Sequence, residues 1–232
     1  MIELHMSEQD VLRLRFAVSP IWEVLAAVRA VHLGTVPPSL RPWRALVEPV
    51  ATPVLVALQA SRRYTPDFLT PPPVAGERSI EAEIELVAQT PLDVVREECR
   101  RAGVPVDDPR ALRDRVVEEM RDAWACLLQP HWPRLHRVLA TDVDHRSRRL
   151  VSGGITSLLE DLHETVSWSA HALRVRGPVR DRRELHGEGV VLMPSVFGVG
   201  RPVVILDPPY QPVLIYPARG VATAFTAPVA PA

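Results

Sequence analysis

Lysine and asparagine are absent from this sequence, and only two of its 232 residues are cysteine. All 27 basic residues are therefore arginine, which we interpret as the codon bias of a GC-rich genome. Cys99 and Cys126 fall in predicted helices and have no cysteine partner nearby in the sequence. We expect both to be small buried apolar residues, which suits the reducing cytoplasm.

Long apolar runs and an excess of charge are also missing. No stretch approaches the roughly eighteen apolar residues of a membrane span. The first ten residues carry acids where a signal peptide carries basic residues. The net charge is −1, with 47% hydrophobic and 24% charged residues. This composition is typical of a globular protein that can bury a core, and we expect no membrane association.

Familiar catalytic motifs are absent. The sequence has no G-x-S-x-G elbow, no Walker A loop and no G-x-G-x-x-G after a strand. Ser195 has His186 and Asp207 at modest sequence distance, but a nucleophile needs a base within hydrogen-bond reach. We interpret Ser195 as a turn residue and 207–210 as a turn made rigid by its prolines. No enzymatic activity and no cofactor are predicted.

Helix-start signals divide the first two-thirds of the chain. Ser19, Thr90 and Asp108 each precede a proline, and a capping side chain followed by proline marks a helix N-terminus. Gly103 is predicted to end the helix that follows Thr90. A further helix should stop near Pro130, and a last one should reopen there and break at two adjacent glycines. Nine prolines between positions 34 and 77 oppose long regular structure in that stretch.

Strand signals dominate the last third. From Val166 the apolar period changes to two, with glycine and proline between the runs. The segment IELHM near the N-terminus predicts one earlier strand. The predicted fold class is α+β, with a mostly helical part to about residue 165 and a C-terminal antiparallel β-meander from 166. We expect a single domain over 1–222, followed by an Ala/Pro tail at 223–232 that resembles a linker.

Aromatic residues supply the candidate pocket. Tyr64 and Phe68 anchor an extended proline-rich strap, which either lines a groove or is a loop attached to the core. Trp124 and Trp132 flank Pro130 and either wall a cavity between helices or fill the core. These four aromatic residues are the predicted pocket-lining residues.

One polar cluster is a candidate contact site. On a helix Asp142 lies four residues before Arg146, and His145 four residues before Arg149, so ion pairs within the helix are available. A salt-bridged face, a phosphate-contacting face and an anionic effector site all remain open. Soft ligands in a cluster, which a metal sensor needs, are missing. We therefore expect no metal.

Several long blocks of the sequence resemble one family. They are RFAVSPIWEVLAAVRA, YTPDFLTPPP, HWPRLHRVLATDVDHRSRRLVSGG with LLEDLH, and LMPSVFGVGRPVVILDPPYQPVLIYPARGVAT. In this order they resemble the uncharacterised N-terminal domain that precedes an ArsR-type winged helix-turn-helix in regulators of GC-rich bacteria. The resemblance implies a cytoplasmic, dimeric transcriptional regulator without catalytic residues. Its DNA contacts would come from a winged helix, expected after Ala232 and not present in this sequence.

Two function hypotheses follow. The first is an N-terminal effector-sensing or dimerisation domain of an ArsR-like regulator, acting as a homodimer on an unknown small-molecule effector. The alternative is a stand-alone small-molecule-binding or protein-interaction protein that has lost its DNA-binding domain. In either case an unpaired outer strand, GVVLMPSVF or PVLIYPARG, is predicted to pair with a second copy.

Overall fold

The computed structural model describes residues 1–34, 36–60, 64–71, 73, 76–198, 200–206 and 210–225. The chain folds into two compact units. The first comprises Met1–Val18, Pro72–Glu77 and His136–Gly220, and the second Ser19–Pro71, Arg78–Leu135 and Val221–Ala232. That residues 1–222 act as a single domain stays a prediction. Most of the predicted tail and the turn at 207–209 lie outside the described residues.

The described residues form helices and strands in the following order. The helices are α1 (Glu8–Leu12), α2 (Pro20–Leu33), α3 (Arg41–Arg44), α4 (Pro53–Gln59), α5 (Ile80–Ala88), α6 (Leu92–Ala102), α7 (Pro109–Ala123) and α8 (Trp132–Leu159). The strands are β1 (Ile2–His5), β2 (Arg15–Val18), β3 (Gly76–Glu77), β4 (Val166–Ser169), β5 (Ala172–Val175), β6 (Asp181–Glu184), β7 (Val191–Ser195), β8 (Val203–Ile205) and β9 (Val213–Pro217). None of these helices is both long enough and apolar enough to cross a membrane.

The three helices predicted from capping signals are present, and two of their three predicted caps are confirmed. The Ser19 hydroxyl accepts the Trp22 amide at the start of α2, and the Asp108 carboxylate accepts two amides at the start of α7. Gly103 ends α6 with φ of +78°, as predicted. The helix predicted after Thr90 is also present as α6, but the predicted cap is wrong, because the Thr90 hydroxyl donates instead to the Leu86 carbonyl at the end of α5.

The strands of the first unit form two sheets with mixed strand directions. One sheet has the order β4-β5-β1-β6, in which β1 pairs antiparallel with β5 and parallel with β6. The other has the order β3-β2-β7-β9-β8, in which β2, β7 and β9 run parallel and β8 runs antiparallel to β9. The N-terminal strands β1 and β2 are therefore built into sheets with strands from the C-terminal third.

The predicted α+β class holds, but the predicted antiparallel β-meander is wrong. Every residue of Val191–Ser195 is buried, which is the pattern of a parallel strand covered on both faces. Its neighbours β2 and β9 come from opposite ends of the chain. Both β7 and β9 have a partner on each side, so neither offers the free edge that was expected to pair with a second copy.

The core of the first unit depends on a break in α8. Gly154 has φ of +67° and ψ of −168°, a conformation that glycine adopts far more readily than other residues. This confirms the interruption predicted at Gly153–Gly154. After the break, Leu158 and Leu159 are buried in the core that both sheets share. The buried core side chains are Leu4, Met6, Leu158, Leu159, Leu162, Val166, Leu173, Val175, Leu185, Val190, Leu192, Leu214 and Tyr216.

Helices of the second unit are joined by buried carboxylates. Glu83 of α5 accepts the Ile21 amide at the start of α2, and Glu119 of α7 accepts the Leu55 amide at the start of α4. The first turn of a helix carries unpaired amides and a partial positive charge. Each carboxylate therefore fixes one helix against another. The fully buried Trp43 adds a third link, since its indole N–H donates to the Leu127 carbonyl in a π-helical turn at Trp124–Leu128.

Candidate functional site

The short helix α1 is held in place by the buried carboxylate of Asp10. Ser7 and Asp10 form a capping box, in which the Ser7 amide donates to Asp10 Oδ2 at 2.8 Å. The other oxygen, Oδ1, accepts the Gly189 amide at 2.9 Å. Burial raises the pKa of Asp10, but these hydrogen bonds outweigh burial and hold the pKa below its usual value. These bonds of Asp10 fix the position of α1. Leu12, the last residue of the helix, is 86% exposed.

The turn between β4 and β5 has an uncommon backbone conformation. Ala170 and His171 have φ of +50° and +58°, although neither is glycine or asparagine. The His171 carbonyl accepts the Met6 amide at 2.8 Å, which ties the turn to the residue that follows β1. The His171 ring lies edge-on to Trp168, with 6.4 Å between centroids. Local strain of this kind is often found at binding sites, where the surrounding structure holds it in place.

Helix α1, this turn and the residue after the α8 break line an open groove of about 520 Å³. Its described lining residues are Glu8, Val11, Leu12, Ile155, Trp168, Ala170 and His171. The volume lies within the range of small-molecule pockets, and apolar walls with few polar groups are typical of such pockets. The lining residues include one acidic residue, Glu8, and no arginine. The groove belongs entirely to the first unit.

A buried charge network in the same unit connects α8 to the end of β9. Asp142 and Arg146 are each 1% exposed and lie one helical turn apart, with 3.7 Å between Arg146 Nε and Asp142 Oδ1. Asp142 accepts the Tyr216 hydroxyl at 2.8 Å and the Arg219 amide at 3.0 Å. Burial, together with the charge of Asp142, raises the pKa of Tyr216 well above its usual value. The sequence-predicted pair of Asp142 and Arg146 is therefore present, and the fold adds two further partners.

Several basic side chains converge on Asp161. It pairs with Arg146 Nη1 and, at 2.8 Å, with Arg219 Nη1. His145 Nε2 and Arg149 Nε lie 3.7 and 3.8 Å from its carboxylate oxygens. The four cluster residues predicted from the sequence are thus brought together. The carboxylates of Asp142, Asp161 and Glu160 pair with three arginines, and this observation favours the salt-bridged interpretation of the cluster.

Acid is expected to weaken the first unit through Asp161. Burial raises the pKa of this carboxyl, but Arg146, Arg149 and Arg219 outweigh burial and lower it below its usual value. A carboxyl with a lowered folded-state pKa stabilises the fold above its unfolded pKa of about 3.9, and the stabilisation is lost as the pH falls further. In urea unfolding, Asp161→Asn should lower the midpoint urea concentration at pH 7. Below about pH 4 the midpoint of this variant should decrease less with falling pH than the midpoint of the wild type.

The matched control for this pH dependence is Asp144→Asn, a change of an exposed aspartate on α8, the helix that carries Arg146 and Arg149. Its urea midpoint should follow that of the wild type at every pH. Equal pH profiles for the Asp161 and Asp144 variants would contradict the assignment of the acid sensitivity to Asp161.

The predicted aromatic pocket residues all belong to the second unit. Trp124 and Trp132 pack edge to face, with 5.0 Å between ring centroids. Tyr64 and Phe68 are held by α6: the Arg101 guanidinium lies 4.0 Å from the Tyr64 ring, and Glu98 accepts the Phe68 amide. That these four aromatic residues line one pocket stays a prediction.

The remaining predicted residues take structural positions. Ser195 is fully buried at the end of β7, and its hydroxyl accepts the Gly198 amide at 2.8 Å. Cys99 is buried, as predicted, and burial raises the pKa of its thiol to about 11. The prediction for Cys126 is wrong, because that residue is exposed. The described part of the chain contains no group of three or more His, Cys, Asp or Glu side chains that could hold a metal ion.

Sequence reasoning missed most of the groove. Trp168 and His171 lie in the alternating segment that predicted a strand, and the two central residues of the turn, Ala170 and His171, are not the Gly, Asn or Asp that usually mark such a turn. Leu12 follows an acidic segment, and its exposure depends on how Asp10 fixes α1. The partners of Asp142 in β9 were also missed, because nothing in the local sequence links positions 142 and 216.

Comparison with known proteins places part of the chain in one family. A family model described as a family of unknown function (DUF5937) matches residues 96–222, more than half of the chain. The match includes the charge network and the side of the groove formed by Ile155, Trp168 and His171, and it leaves out α1. No curated protein and no solved structure matches the chain.

Proposed function

This chain belongs to the DUF5937 family of unknown function, and we propose that it is the effector-sensing module of an ArsR-like transcriptional regulator. The observation that carries the proposal is the open apolar groove of about 520 Å³, which has the size and lining of a small-molecule site. The sequence blocks that resemble the N-terminal domain of such regulators support the regulatory part. The proposal places DNA contacts in a winged helix outside residues 1–232 and makes the active form a homodimer.

The segment from Ile155 to Asp161 connects the groove to the last residues of the first unit. Ile155 lines the groove directly after the break at Gly154, and Asp161, six residues later, pairs with Arg219. Arg219 immediately precedes Gly220, the last residue of the unit. A ligand that contacts Ile155 and prefers one position of this segment would shift the Asp161–Arg219 pair. Only a ligand with different affinities for the two arrangements can do so.

Ligands of the groove should be recognised by their dependence on Leu12. In a thermal-shift screen of amines, carboxylic acids and neutral aromatic compounds, at least one compound is expected to stabilise the wild-type chain. At a concentration of 100 times Kd, the melting temperature should rise by about 5–10 °C. Leu12→Gln should remove most of the shift, because it replaces apolar surface of the groove with a neutral polar amide. The substitution should fold normally, since Leu12 is exposed.

Leu46→Gln is the matched control for the screen, because Leu46 is 58% exposed and belongs to the second unit. This variant should respond to ligands like the wild type. The sensing proposal fails if no compound shows a shift that the Leu12 variant loses and the Leu46 variant keeps.

The regulatory part of the proposal is tested separately. In gel-shift titrations the 232-residue chain should not bind its own promoter DNA specifically, and tight sequence-specific binding would contradict the placement of the DNA contacts. Native mass spectrometry should give the mass of a dimer.

The same groove also favours the alternative of a stand-alone small-molecule-binding protein. A winged helix encoded after codon 232 would favour the regulator over that alternative.

A further inference from the structure

We infer that the groove takes an apolar organic cation, meaning an aromatic or aliphatic body that carries an ammonium group. This inference rests on the proposed function, since it names the ligand class of the same groove. It is carried by the charge and the chemistry of the residues that line the groove.

The charge of the groove is the first argument. The chain contains 27 arginines, yet no arginine is among the described lining residues. Glu8 is their one acidic residue, and it lies at the exposed start of α1. Among the described residues, no hydrogen bond or ion pair engages the Glu8 carboxylate. A cationic ligand supplies the partner that this carboxylate lacks, whereas an anionic ligand would be placed beside a like charge.

The aromatic wall is the second argument. The face of a tryptophan ring attracts a cation within about 6 Å of its centroid, and this attraction is stronger for tryptophan than for other aromatic side chains. Trp168 is half-buried against the core, so its ring is held in place at the groove. His171 lies beside it and offers a ring nitrogen that accepts a hydrogen bond when unprotonated. The lining residues thus include a carboxylate, an indole ring and an imidazole, all of which can interact favourably with an ammonium group.

The apolar lining residues determine which kind of ligand body the groove favours. Val11, Leu12 and Ile155 provide only hydrocarbon surface, and they come from α1 and from the residue after the α8 break. A small hydrated cation gains nothing from such a surface. A ligand that buries a ring or chain against these residues gains about 25 cal/mol for each Å² of apolar surface removed from water. The groove therefore favours an amphipathic amine over an inorganic ion.

Three probes of one shape test this inference. 4-Phenylbutylamine, 4-phenylbutanol and 4-phenylbutyrate share a hydrocarbon body and differ in the charge of the end group. In isothermal titration calorimetry of the 232-residue chain at pH 7, the amine is expected to bind most tightly and the carboxylate most weakly. Glu8→Gln should weaken amine binding roughly fivefold and leave alcohol binding unchanged. Trp168→Leu should also reduce the preference for the amine over the alcohol.

The control variant is Glu48→Gln, which neutralises an exposed glutamate of the second unit and should leave all three affinities unchanged. The inference is overturned if the carboxylate binds as tightly as the amine, or if Glu8→Gln does not weaken amine binding. If the alcohol binds in a Leu12-dependent way without any advantage for the amine, the cation inference fails and the sensing function stands. If none of the probes binds and the thermal-shift screen also gives no Leu12-dependent compound, both fail.

Discussion

Asp142→Ala is expected to lower the free energy of unfolding of this chain by about 3–5 kcal/mol. Arg146 is 1% exposed, so without Asp142 its guanidinium stays buried beside a single remaining acid, Asp161. The buried Tyr216 hydroxyl and the Arg219 amide also lose their acceptor. A buried ion that loses one of its partners costs more than a surface pair contributes, because the desolvation of the remaining charge is then offset only in part, here by Asp161.

The measurement is urea unfolding followed by circular dichroism, with Asp144→Ala on the exposed face of the same helix as the control. That control should change the stability by less than about 0.5 kcal/mol. A second variant, Asp142→Leu with Arg146→Met, removes both charges together and should recover much of the lost stability. The role assigned to the network is wrong if Asp142→Ala unfolds at the same urea concentration as the control.

Glu119→Gln should be the next most damaging substitution, with an expected loss of about 2–3 kcal/mol. The fully buried Glu119 carboxylate accepts the Val54 and Leu55 amides and the Arg115 guanidinium. An amide side chain keeps one acceptor oxygen, and its NH2 group then faces a donor. The first turn of α4 also loses the negative charge that stabilises its positive end.

Glu118→Gln is a closely matched control for Glu119→Gln. Glu118 is the preceding residue of α7 and also pairs with Arg115, but its side chain is 63% exposed. Its substitution should cost less than about 0.5 kcal/mol, the usual range for an exposed pair in a helix. Equal urea midpoints for the two variants would show that Glu119 does not hold α4 in place.

Both predictions concern a buried carboxylate that accepts backbone amides. This chain fixes its elements with buried carboxylates that accept backbone amides from distant segments, as Asp10, Glu83, Glu119 and Asp142 each do. Such bonds are directional and lose strength quickly when the geometry changes.

The local part of the fold could be predicted because its causes are local. The caps at Ser19 and Asp108, the end of α6 at Gly103 and the break at Gly154 depend on residues within one turn of the helix. The pairing of Asp142 with Arg146 also follows from helical spacing alone. The helix α5 was missed, although Ile80, Ile84 and Val87 carry its signal, because no proline marks its start.

Strand pairing could not be predicted in the same way. Arg15 pairs with Val191, and β1 lies between β5 and β6, which are both more than 150 residues away in the chain. The strand β6, with the sequence DRRE, shows no apolar alternation because it lies at the edge of its sheet. Apolar runs indicate that a strand is buried, but they do not identify its partner.

The amino-acid sequence by itself determined the starts of α2, α6 and α7, the end of α6, the break in α8, the α+β class and the pairing of Asp142 with Arg146. Each of these depends on neighbours that the chain places a few residues apart. The tertiary structure decided the parallel pairing, the choice of Asp161 and Tyr216 as partners for the charged helix, and the existence of the groove. Those features require residues from opposite ends of the chain to share one core, and burial of that core selects among pairings that the local sequence leaves equivalent.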